Sequence, residues 1–170
     1  MGWDAVFQWL YSTTAGVIMR ENDSLFPWLE SIHVLAITIV VGSIAIVDLR
    51  LLGIASRDRA VSRLTRDVLP ITWIAFAVAA ITGILMFISN VVNYAHNVYF
   101  QLKILMLVLA GMNMMLFHFF GSRNIENWGT SAGTTPRSAR FAGGASLMFW
   151  VLVVAFGRWI GFTLQPHLIG

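Results

Sequence analysis

Glu30 and His33 stand three positions apart near the start of a long apolar run, residues 26–47. That spacing puts both side chains on one face of a helix, roughly one turn from each other. Ionisable side chains inside an apolar span are costly and turn toward a cavity or a partner, so the pair marks a candidate site. A neutral imidazole in such surroundings is a common metal ligand, and a neighbouring carboxylate can fix its tautomer. His96, Lys103, Arg158 and His167 fall at a similar depth, while Asp48, Arg50, His118 and Arg123 gather at the other end of the apolar segments. Lys103 and His118 share one run and are separated by about 22 Å at the rise of an α-helix. His33 and His118 are therefore too far apart to grip one ion or one haem.

These residues point to a b-type haem bound between helices. His33 is the first axial ligand, His96 the candidate for the second, and Lys103 and Arg158 are the cations that meet the propionates. Glu30 either orients His33 or belongs to a proton or quinol path. Each assignment has a plainer counterpart. His33 can be a buried histidine bonded to Glu30, His96 a surface loop residue, and Lys103 a side chain that snorkels to the headgroups. Arg158 can pair with Glu30 simply to neutralise a buried charge. Methionines 106, 112, 114 and 115 precede His118, and soft thioethers favour copper(I). Methionine is also ordinary apolar filler.

The chain around these residues belongs in a membrane. Of 170 residues, 58% are hydrophobic and 11% charged, against about 25% charged in an average soluble domain. Four stretches, about 26–47, 69–92, 99–120 and 141–163, reach the length of roughly 20 residues that a bilayer requires, and lipid leaves helix as their default. The expected fold is all-α: a single integral membrane domain, 1–170, forming a four-helix bundle. Residues 3–18 carry Trp3, Val6, Phe7, Leu10, Thr14, Val17 and Ile18 at helical spacing, which predicts an amphipathic helix on the membrane surface or on the outer end of the bundle. Pro27 and Pro70 are placed in first turns. Gly42, Gly83, Gly111 and the Gly143–Gly144 pair offer places for close helix approach. The segment 121–140 reads as a flexible connection, and residues 55–67 as a short surface helix.

Eight of the eleven Lys and Arg residues lie in the first and third loops. The positive-inside rule puts those loops in the cytoplasm, with both termini and the 93–98 loop outside, in the periplasm of a Gram-negative cell. Trp28, Tyr94, Tyr99 and Trp159 then form an aromatic belt at the outer boundary. The same arginines account for the net charge of +3 without nucleic acid. The chain has no cysteine, which excludes disulfides, iron–sulfur clusters and covalently attached haem. The start of the chain lacks the basic region and cleavage site of a signal peptide.

The segments Trp28–Ala36, Asp48–Gly53, Thr82–Gly83 and Phe100–Lys103 resemble a family of uncharacterised bacterial four-helix membrane proteins. That family is distantly similar to copper-resistance D-type membrane proteins and to the haem-binding protoporphyrinogen oxidase of the HemJ type. The resemblance implies a bacterial inner-membrane protein and supports His33 and Lys103 more than His96, which lies outside the matched segments. The function expected from residues and resemblance together is a cytochrome that passes electrons between the quinone pool and a membrane or periplasmic redox partner. The alternatives are a copper or small-solute transport protein and an accessory subunit of a larger complex, as a homo- or hetero-oligomer.

Overall fold

The computed structural model describes residues 3–55, 61–117, 119 and 135–164. Its elements are α1 (Trp3–Ser12), α2 (Thr14–Glu21), α3 (Leu25–Leu51), α4 (Val61–Ser89), α5 (Val91–His96), α6 (Val98–Leu116) and α7 (Arg137–Thr163). No strand occurs among the described residues. Helices α3, α4, α6 and α7 are each long and apolar enough to cross a membrane. The chain is a multi-pass helical membrane protein.

The expected surface helix over 3–18 is two helices. Thr13 interrupts it in an extended conformation and caps α2, its hydroxyl oxygen accepting from the Gly16 amide at 3.3 Å. Helix α2 packs against the end of α4, where a Cβ on Gly16 would come within 3.3 Å of Ile88, and α1 reaches α5. The N-terminal helices thus cap one end of the bundle, the same end at which α3 and α6 begin and α4 and α7 finish. Of the segment expected as a surface helix, the part from Val61 onward belongs to the helix of the second span, where Val61 and Leu64 are buried on one face. Pro70 consequently lies inside α4 and not in its first turn. The loop expected at 93–98 is mostly helix α5, and Asn97 caps α6 by accepting from the Phe100 amide at 3.1 Å.

The spans associate as two close pairs, α3 with α4 and α6 with α7, joined where α3 meets α7. Hydroxyl and amide groups fasten the joints. Ser43 and Thr72 meet at 2.8 Å between α3 and α4, and Asn113 donates to the Ala142 carbonyl at 3.0 Å between α6 and α7. Between α3 and α7 the contact is made at Gly143, where a Cβ would lie 3.0 Å from Leu51 Cβ and 3.1 Å from the Asp48 carbonyl. Asp48 and Arg50, at the far end of the first span, are both buried, and the Asp48 carboxyl hydrogen-bonds Ser146 of α7. Gly42 and Gly111, also expected at close approaches, have open space where a side chain would be.

Gly143→Leu is expected to force α3 from α7 and destabilise the bundle by about 1–3 kcal/mol, the usual cost of overpacking. Denaturant titration of the protein in detergent micelles, followed by circular dichroism, measures it. Gly111→Leu, at an open position, serves as the silent control.

Helices α4 and α6 make no close backbone approach among the described residues. They are bridged only near the capped end, where Phe87 and Phe100 stack with centroids 5.2 Å apart. The space left between the helix pairs is a cavity.

Candidate membrane cavity around His33

The cavity measures about 1290 Å³ and runs along α3 from Phe26 to Gly42, about 24 Å at the helical rise. Glu30, His33, Lys103 and Arg158 all line it. Three separate spans contribute these residues, so the arrangement is a product of tertiary packing as well as of depth. Arg20 and Asp23 line its capped end, and Val34, Ile37, Val41 and Val153 its deeper part.

His33 is held from behind. Its Nδ1 lies 2.9 Å from Thr82 Oγ1 on α4. Thr82 has a single hydroxyl proton, and its oxygen approaches the Val78 carbonyl at 2.7 Å, an acceptor that takes that proton. The ring also hydrogen-bonds the Ala79 backbone. In the tautomer that places the ring proton on Nδ1, facing Thr82, Nε2 keeps its lone pair. Next to Thr82, Gly83 supplies the room for the ring: a Cβ there would stand 2.9 Å from His33 Cε1. A metal-ligating imidazole has this arrangement, with one nitrogen tied to a hydrogen-bond acceptor and the other available. The expected orienting role of Glu30 is therefore taken by Thr82. Glu30 forms neither a hydrogen bond nor an ion pair among the described residues.

Lys103 does not snorkel outward. Its ammonium lies against Gly157 of α7, 3.7 Å from where a Cβ would be, and its charge acts on His33. Arg158 makes no ion pair with Glu30 among the described residues; its guanidinium sits over the Phe162 ring, 5.0 Å from the centroid. Both cations are thus available to an acidic group.

His96 is elsewhere. It lines a separate, smaller pocket of about 410 Å³ with Asn93, Asn97 and Thr163. Its Nδ1 donates to the Val92 carbonyl at 2.8 Å, and its ring meets Phe7 edge-on. The expectation that His33 and His96 share one haem is corrected by this placement, because α5 turns His96 away from the cavity. His118, His167 and Arg123 lie outside the described residues. Met112, Met114 and Met115 are exposed on α6, and no group of three or more His, Asp or Glu side chains gathers as a metal site among the described residues.

Tyr94 was expected in the aromatic belt, yet only 9% of it is exposed. It packs edge-on against Phe100 and lines the cavity. No periodicity in a helix as short as α5 could have shown this. Burial, with the Glu30 charge added, pushes its phenol up to about 12 from an ordinary 10.0. The unfolded chain releases that proton near pH 10, the folded chain only near 12. The phenol's contribution is therefore complete below pH 10 and is lost as pH rises through 12, a drop on the order of 2–3 kcal/mol. Stability curves of wild type and Tyr94→Phe measured between pH 8 and 12 should converge downward in wild type alone over that window.

Four spans, a capped end and a cavity between the helix pairs define the class: a small multi-pass helical membrane protein. The chain belongs to the Family of unknown function (DUF6644), whose model matches residues 6–163. No curated protein and no solved structure matches it.

Proposed function

We propose that this protein is a b-type cytochrome of the bacterial inner membrane, with haem held in the cavity by His33. The observation that carries the reading is His33 itself, its Nδ1 2.9 Å from Thr82 Oγ1, lining a cavity that Lys103 and Arg158 also line. The residues fit the group. One imidazole is held from behind by Thr82, two cations without carboxylate partners among the described residues suit propionates, and apolar walls suit the porphyrin body. The volume exceeds the 300–1,000 Å³ of typical ligand sites, so a macrocycle does not fill it. Bound haem would supply one-electron chemistry. The chain itself fixes the imidazole, neutralises acidic groups with Lys103 and Arg158, and keeps water from the deep end with Val34, Ile37 and Val153.

Among the described residues His33 is the one histidine that lines the cavity, so any further ligand to the group would come from elsewhere. The orientation that best suits the arginines puts the capped end outside, in the periplasm of a Gram-negative cell, and the cavity in the outer leaflet. Electrons would pass between the quinone pool and a membrane or periplasmic redox protein at that face.

The test is a visible spectrum of the full chain, purified after expression with haem supplied, before and after dithionite. A Soret band with reduced α and β bands is expected. Their absence overturns the cytochrome reading; stoichiometric copper in their place would make the protein a copper-handling transporter.

A further inference from the structure

Beside Arg20 and Asp23, the capped part of the cavity holds Tyr94 and Glu30, which haem ligation does not use. Tyr94 is nine-tenths buried, and among the described residues its hydroxyl has no hydrogen-bond partner. The carboxylate of Glu30 lines the same space close enough for its charge to act on Tyr94, and it too lacks a partner among the described residues. A donor and an acceptor thus face one space without satisfying each other. A ligand filling that space must accept from the phenol and donate to the carboxylate. A hydroxyl does both.

Two further features narrow the ligand. Phe87, Tyr94 and Phe100 form an aromatic wall beside the polar pair, with Phe87 and Phe100 parallel to within 11°. Flat aromatic faces favour an aromatic ring in offset or edge contact. Below His33 the cavity continues past Ile37 and Val41 to Gly42, with Val153 opposite, and carries little there but apolar surface. That stretch from His33 to Gly42 is about 13 Å long at the helical rise and suits a hydrocarbon tail.

We infer that the cavity binds a prenylated hydroquinone, its ring hydroxyl between Tyr94 and Glu30 and its tail along Ile37 and Val41. As an electron source for the protein, this ligand rests on the cytochrome reading; its binding does not. Glu30 accepts a hydrogen bond from the ring hydroxyl, Tyr94 donates one to it, and the tail leaves toward the middle of the membrane.

The experiment titrates the detergent-purified full chain with a benzoquinol bearing a decyl tail, and separately with the same ring lacking the tail, reading intrinsic fluorescence quenching. Saturable binding is expected, at least tenfold tighter for the tailed compound. Glu30→Gln and Tyr94→Phe should each weaken it by about tenfold, the worth of one buried hydrogen bond. Ile37→Trp should weaken the tailed compound alone, which distinguishes a filled tail channel from general damage. Equal affinity for the two compounds, unchanged affinity in Tyr94→Phe, or displacement by decanol at the same concentration would overturn the proposal. Repeating the titration on His33→Ala keeps the two ideas apart. Quinol binding without a Soret band in wild type rejects the cytochrome and keeps the quinol site, and the reverse pattern does the opposite.

Discussion

His33→Ala is expected to abolish the haem spectrum, leaving less than a tenth of the wild-type Soret absorbance per chain. The size of the effect follows from position: among the described residues no other histidine lines the cavity. Removing it leaves the porphyrin with propionate contacts and apolar packing but no bond to iron. Helicity should stay unchanged, since His33 is only partly buried and its ring packs against a glycine. His96→Ala is the informative companion. Its side chain belongs to the smaller pocket, so the spectrum should be that of wild type. Loss of the band in His96→Ala would show that the ring is drawn into the cavity when haem binds. Lys103→Met should keep the band but lower haem retention, by removing a cation and no ligand.

Substitution behind His33 is expected to have the second largest effect, through the residues that seat its ring. Thr82→Val keeps the shape of the side chain and removes the oxygen that accepts from Nδ1. The ring then loses that hydrogen bond, and its proton can move to Nε2, where it blocks ligation. Loss of such a supporting partner ordinarily costs about 10–100-fold in metal affinity. Gly83→Ala acts on the same ring by volume. With only 2.9 Å between the added methyl carbon and His33 Cε1, the imidazole must swing toward the cavity. Alanine is the better helix former by about 1 kcal/mol, so the fold itself should tolerate the change. The expected outcome is a stable protein with a shifted or weakened Soret band, measured by spectroscopy and by haem transfer to apomyoglobin. A Thr82→Ser variant should restore most of the affinity, because serine keeps the acceptor. If Thr82→Val and Gly83→Ala both retain haem as wild type does, His33 is not held for ligation.

The four spans and the depth of each polar residue were legible in the residues alone. Lipid demands helices of a given length, and helical rise then assigns every position a height. Glu30, His33, Lys103 and Arg158 were grouped by that argument, and all four line one cavity. Rotation was not legible. A span that is apolar on every side carries no moment to say which face meets its neighbours, so side chains of equal height can point anywhere. His96 shares their height and lines a different pocket, while Tyr94, two residues earlier, faces the cavity. The ends of the spans were misjudged where apolar patterning continues past the membrane, as at Val61 and Leu64.

Composition and spacing by themselves determined that this is an all-helical membrane protein with costly polar groups in one layer. Only the tertiary structure decided that Thr82 and not Glu30 holds His33, that Lys103 stays inside over Gly157, and that α4 and α6 stand apart. The reason is that helices in lipid are steered by where small residues let backbones approach, and that choice is made between helices, not along one. Of the glycines expected to mediate such approaches, Gly143 brings α3 against α7, and Gly83 makes the seat for an imidazole. Glu30 and His33, one turn apart on α3, became a site only when α4 supplied that seat and α6 and α7 supplied the opposite wall.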